Sequence, residues 1–157
     1  MSRAFVKETD EIAPLPERPV SPFPNYVTEQ GLAAMEAELA RLVTAYGEAQ
    51  AANDRDALAS VGRDLRYWQQ RRASAELFKP TADHDTVQFG STVTIRRNDG
   101  RQQSWRIVGE DEADPTKGSI SYVAPLARAL IGKSVGEAVG AGTTEAEILA
   151  VDTSVPA

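Results

Sequence analysis

Two carboxylates, Asp54 and Asp56, stand in the polar run Asn53-Asp54-Arg55-Asp56, between two stretches of apolar periodicity. Paired carboxylates on a protruding turn offer the hard oxygen ligands that magnesium takes while keeping most of its waters. The same residue types cap a helix and complement its dipole. The run therefore reads either as a ligand pair or as a helix start. A second oxygen-rich stretch, Glu110, Asp111, Glu112 and Asp114, lacks the regular spacing and the glycine of a calcium loop and reads as a solvated face. His84 is the one histidine and stands between Asp83 and Asp85. Without a second imidazole it offers no His-pair metal site and reads as a surface residue. The absence of cysteine excludes a disulfide scaffold, a thiol nucleophile and cysteine-ligated zinc. Ser91, Ser104, Ser119 and Ser121 have no G-x-S-x-G context, and Gly132 and Gly136 lie outside any strand-to-helix turn that would cradle a phosphate. Nothing here builds an enzyme, and no resident metal or cofactor is expected.

The elements that must position these residues fall into three segments. Residues 1–27 hold Pro14, Pro16, Pro19, Pro22 and Pro24. Each proline lacks an N–H and pushes its predecessor out of helical space, so this arm is expected to be polyproline II or loose coil. Phe5, Val6, Phe23 and Tyr26 are its candidate docking side chains.

Residues 28–79 read as a helical hairpin. Leu32, Met35, Leu39, Leu42, Tyr46 and Ala49 recur at alternating spacings of three and four, the narrow seam of a coiled coil. Thr28 reads as an N-cap, with Val27 and Leu32 as a hydrophobic staple across it. The spacing resumes at Leu58, Val61, Leu65 and Trp68, then weakens at Arg72 and Ala75, and Lys79-Pro80 is expected to end it. Arms of equal length predict an antiparallel pair with Asp54 and Asp56 at the tip. Gly47 and Gly62 lie inside the helices, where each costs about 1 kcal/mol against alanine, and suggest a close approach or a bend.

Residues 80–157 change period. Thr86–Phe89 and Thr92–Arg96 read as strands. Asn98-Asp99-Gly100 is a tight-turn signal, answered by Gln103–Val108. Ser119–Val123 reads as a further strand and Pro125–Ile131 as a short helix stopped by Gly132. Glu145–Val151 is the closing strand. The expected class is α+β: an N-terminal antiparallel helical hairpin followed by a small antiparallel β domain with one short helix.

Composition bounds the partners. The chain has 157 residues, 41% hydrophobic and 25% charged, the range of a folded globular protein. Its 17 basic residues against 23 acidic ones give a net charge of −6, the opposite of what phosphate neutralisation asks for. A protein partner is expected, with any DNA contact indirect. No apolar run approaches the ~20 residues of a membrane span, and the N-terminus lacks a signal-peptide layout. The expected location is cytoplasmic, with no membrane partner.

The run Ser104-Trp105-Arg106-Ile107-Val108-Gly109-Glu110-Asp111-Glu112 resembles the "f-x-I-V-G-x-D-E" stretch of the GreA/GreB family of bacterial transcription elongation factors. The run Ile120-Ser121-Tyr122-Val123-Ala124-Pro125-Leu126-Ala127-Arg128-Ala129-Leu130-Ile131-Gly132-Lys133, with Val135-Gly136-Glu137, resembles the family's "I-S-x-x-S-P-x-A-R-A-L-x-G-K-x-V-G-D". Val27-Thr28-Glu29-Gln30-Gly31-Leu32 is similar to its "V-T-x-x-G-x" helix start. The likeness covers roughly residues 26–152, and the leader lies outside the family pattern.

The resemblance implies a hairpin attached to an FKBP-like domain. It implies bacterial RNA polymerase as partner, gripped on its largest subunit at the rim of the secondary channel. Ser121, Pro125, Ala127, Arg128, Ala129 and Leu130 match the family's polymerase-binding segment, with Ala124 where the family has serine. In cleavage-stimulating members, acidic tip residues help hold the second magnesium of the polymerase active site. The family tip reads "G-D-x-x-E-N"; here Asp54 fills the first acidic position and Ala57 stands in place of the glutamate. Cleavage-class arms are about two turns longer, ~11 Å at a 5.4 Å pitch. The resemblance is therefore to the short-hairpin, Rnk-like members, which bind polymerase without stimulating cleavage. The alternatives are a cleavage stimulator using Asp54 and Asp56, a prolyl isomerase on fold analogy alone, and a direct DNA binder.

Overall fold

The structure, a computed structural model, describes residues 15–141 and 144–154. Phe5, Val6 and Pro14 lie outside the described residues. Among the described residues, no helix is long and apolar enough to cross a membrane. Two compact units are distinguished. One contains residues 15–22 and Glu36–Ala73; the other contains Phe23–Met35 and the described residues from Ser74 onward.

Helix α1 runs over Glu29–Ala51 and helix α2 over Arg55–Ser74. The seam spacing on α1 matches its burial. Met35, Leu42 and Ala49 are buried, Leu32, Leu39 and Tyr46 are half-buried, and the intervening positions are mostly exposed. On α2, Leu58, Val61, Leu65 and Trp68 are half-buried, and the inward position near the end is Arg71 rather than the expected Arg72. Helix α2 stops at Ser74, five residues before Lys79. Of the two interior glycines, Gly62 is at a close approach: a Cβ there would lie 3.3 Å from the Tyr46 ring. Gly47 faces open space.

Side-chain contacts hold residues 15–22 of the proline arm. Glu17 makes a two-pronged contact with Arg66, at 2.7 and 3.0 Å. Arg18 bonds Asp64 at 3.3 Å and lays its guanidinium 3.9 Å from the centre of the Tyr67 ring. The prolines prevent helix, as expected, but the polar residues between them fasten the arm along α2.

In the second unit, β1 (Tyr26–Val27) pairs in parallel with β2 (Glu76–Leu77). A five-stranded sheet is built from β3 (Thr92–Arg97), β4 (Gln102–Val108), β5 (Ser119–Ser121), β6 (Ala138–Ala141) and β7 (Thr144–Asp152), in the order β5-β4-β3-β7-β6. Strands β3 and β4 form the hairpin that Asn98-Asp99-Gly100 closes, with Gly100 at a φ of 85°. Pairing is antiparallel except between β4 and β5, which run parallel, so the sheet is mixed. Thr86–Phe89 does not form the expected strand. Thr86 makes one isolated bridge to Ser134, and Val87 exchanges backbone hydrogen bonds with Lys133 and Gly132.

Helix α3 (Pro125–Leu130) lays Ala127 and Leu130 on this sheet. Val93, Ile95, Ile107 and Ile148 complete the centre of the core. Beside it, Tyr26, Phe78, Phe89 and Tyr122 meet in tilted and edge-on contacts 5.3–6.1 Å apart, the geometry aromatic quadrupoles favour.

Candidate functional site

The start of α1 joins two of the sequence runs that carry the family likeness. Thr28 is the N-cap: the Gly31 N–H donates to its hydroxyl oxygen at 3.0 Å. The Glu112 carboxylate accepts from the Thr28 N–H at 3.0 Å, from the Thr28 hydroxyl at 2.5 Å and from the Gly109 N–H at 3.2 Å. A negative charge at a helix N-terminus also meets the positive end of the dipole. Gly31 and Gly109 are required by crowding. A Cβ on Gly31 would overlap the Glu112 carboxylate, and one on Gly109 would overlap the Tyr26 carbonyl. The acidic stretch expected to be a solvated face thus turns one of its members inward. Asp114 is engaged too, capping the short 3₁₀ turn Pro115–Lys117 through the Thr116 N–H at 3.0 Å. Hydrogen bonds from the Thr116 hydroxyl and N–H, with Lys117 nearby, hold the Asp114 carboxyl below its ordinary range.

The segment containing the candidate binding residues begins at Ser121. Its hydroxyl oxygen accepts from the Val123 N–H at 3.2 Å, and its carbonyl from the Ala124 N–H at 3.0 Å, which turns the chain into α3. Pro125 occupies the first turn, where its missing N–H costs nothing. Ala124 sits at the N-cap and gives no side-chain hydrogen bond. Gly132 stops the helix at a φ of 87°. The six residues separate by role. Ala127 and Leu130 are wholly buried and hold the helix down; Ser121 and Ala129 are half-buried; Pro125 and Arg128 face solvent. The Arg128 guanidinium lies 5.2 Å from the centre of the Phe23 ring. Phe23 carries its aromatic character in the sequence, but its neighbour, 105 positions away in numbering, does not show there.

At the hairpin tip, α1 unwinds through backbone bonds from Ala52 to Glu48 at 3.0 Å and from Asp54 to Ala49 at 3.0 Å. Asn53 takes a φ of 51°, the left-handed region that asparagine tolerates. Asp54 is the N-cap of α2: its carboxylate accepts from the Ala57 N–H at 3.1 Å. Asp56 follows within the first turn, and both carboxylates are exposed. Residues two apart on a helix do not face one another. Among the described residues, no group of three or more histidine, cysteine or acidic side chains is placed to hold a metal ion. His84 is exposed, with its Nδ1 3.4 Å from the Thr153 hydroxyl.

The model of the transcription elongation factor GreA/GreB C-terminal domain matches residues 82–153. The chain is 34% identical over 152 residues to the transcription elongation factor GreB of Neisseria meningitidis serogroup B, spanning 82% of this chain and 93% of that one. It is 57% identical over 56 residues to the GreA of Rhodopseudomonas palustris, 35% of each chain. Among solved structures, GreA factor homolog 1 of Thermus thermophilus aligns over 82% of this chain and 99% of its own, at 18% identity and a TM-score of 0.40. On the extent and identity of the GreB match, this chain belongs to the GreA/GreB family of transcription elongation factors.

Proposed function

We propose that this protein binds bacterial RNA polymerase at the rim of the secondary channel, on the largest subunit, and regulates elongation there without efficient transcript cleavage. Pro125 and Arg128 are the docking side chains, since they are the exposed members of the matched segment. Ser121 and Ala129 flank them, while Ala127 and Leu130 support the helix from the core. Polymerase performs any phosphodiester chemistry, with magnesium at its own active site. A factor of this kind can add only ligands and charge.

The observation that carries the reading is the bond from the Ala57 N–H to Asp54. The first tip carboxylate is committed to starting α2, and no glutamate follows at position 57. Arm length supports the same conclusion. Helices of 23 and 20 residues are about 35 and 30 Å long at a rise of 1.5 Å per residue. By the family resemblance, that is some two turns short of the cleavage class. Magnesium bonds of about 2.1 Å leave no slack for such a deficit. A second reading, a cleavage stimulator, draws on the exposure of both Asp54 and Asp56.

Docking is tested by capture of core polymerase on the immobilised protein. Wild type retains polymerase, and the Pro125→Ala, Arg128→Ala double variant loses most of it. Equal capture by the two removes the proposed docking face.

A further inference from the structure

We infer that Phe23, in the leader outside the family pattern, is part of the docking face: its ring backs the Arg128 guanidinium and presents it to a carboxylate on the polymerase surface. This rests on the polymerase-docking reading above and deepens it. Arg128 is exposed, and among the described residues no carboxylate pairs with it. Its guanidinium lies instead against the Phe23 ring, at 5.2 Å. A guanidinium lying against an aromatic ring keeps its in-plane N–H donors available, and those donors match a carboxylate two at a time. The positive side chain therefore selects an acidic partner group.

Phe23 is a large apolar side chain left 42% exposed, yet its place is fixed by the anchoring of Pro24, Asn25 and Tyr26. The Tyr122 hydroxyl donates to the Pro24 carbonyl. Asn25 is buried, and its amide donates to the Ser74 hydroxyl at 3.1 Å. Tyr26 enters the aromatic cluster with Phe78, Phe89 and Tyr122. These three residues hold the ring beside α3 before any partner arrives. A side chain held in its bound arrangement loses less freedom on association. Phe23 is thus a positioning residue, and Arg128 is the group that touches the partner.

The test is the affinity of full-length protein for core polymerase across Phe23→Ala, Phe23→Leu, Phe23→Trp, Arg128→Ala and the Phe23→Ala, Arg128→Ala double variant. Phe23→Ala and Phe23→Leu are expected to weaken binding about two- to fivefold, the range of an exposed cation–π contact. Phe23→Trp should restore wild-type affinity, because its ring face attracts a cation at least as well. The double variant should bind no more weakly than Arg128→Ala alone. Phe23→Leu keeps the apolar bulk, so a folding defect in Phe23→Ala cannot imitate the result. Wild-type affinity in both Phe23→Ala and Phe23→Leu, or losses that multiply in the double variant, would overturn the role of Phe23 while leaving docking through Arg128 intact. A wild-type protein that does not bind polymerase overturns both.

Discussion

Glu112 accepts hydrogen bonds from both the N–H and the hydroxyl of Thr28, at 3.0 and 2.5 Å, across 84 positions of sequence. One carboxylate thereby satisfies the start of α1 and the loop after β4. Replacing Glu112 with alanine strands the N–H groups of Thr28 and Gly109, and an unmet buried donor costs about 1–3 kcal/mol. Urea denaturation of Glu112→Ala should show a loss of that size, with Glu112→Gln losing less. An unchanged midpoint would mean that the contact contributes nothing.

The glycines of α1 should respond in opposite directions. Gly31→Ala displaces the Glu112 carboxylate from its donors, and the expected loss is about 1–2 kcal/mol after the gain in helix propensity. Gly47 has open space around it, so Gly47→Ala should gain about 0.5–1 kcal/mol from propensity alone. Thermal unfolding of the two variants beside wild type is sufficient. Shifts of the same sign would contradict the packing described.

Asp54→Ala removes the N-cap of α2 and should destabilise the protein by about 0.5–2 kcal/mol, whereas Asp54→Asn or Asp54→Ser should largely preserve it. Asp56→Ala gives up only a favourable placement near the dipole and should cost about 0.3–1 kcal/mol. Circular dichroism melts separate the cases. A loss in Asp54→Asn and Asp54→Ser as large as that in Asp54→Ala would deny Asp54 its capping role.

The arm should be sensitive to acid. The hydrogen bond from Arg66, reinforced by its charge and that of Arg63, holds the Glu17 carboxyl below its ordinary value. A carboxylate lowered in the folded state favours folding above its unfolded value of about 4.3, and that contribution disappears as pH falls through the lower folded value. An NMR titration of the Glu17 carboxyl carbon should give a midpoint below about 4.3 in wild type, moving up towards it in Arg66→Gln. Identical midpoints would show that the ion pair does not form in solution.

What was legible in the sequence came from local chemistry. The three-and-four spacing of Leu32, Met35, Leu39 and Leu42 specifies a helix face, and Asn98-Asp99-Gly100 specifies a tight turn, because both signals are local in sequence. Strands β1 and β2 are two residues each, too short to show a period. Strand β6, Ala-Val-Gly-Ala, lacks the β-branched run that marks a strand. Thr86–Phe89 alternates as a strand does, but Gly90 at a φ of 86° turns the chain immediately after it.

The candidate site was legible in the same partial way. Pro125 and Asp54 announced themselves as helix starts. The inward turn of Glu112, the clasp of Glu17 on Arg66 and the ring of Phe23 beside Arg128 depend on residues brought together from far apart in sequence. Charge and aromaticity in a single run of residues do not specify such partners.

The length of a labelled transcript in a stalled elongation complex, monitored after addition of this protein and again after addition of a cleavage-competent GreB, tests the central proposal most directly. The expected result is a transcript of unchanged length with this protein alone, and slower shortening by GreB when this protein is already present. Shortening by this protein alone that vanishes in Asp54→Ala, or GreB cleavage at an undiminished rate in its presence, would contradict a channel-binding regulator that does not cleave.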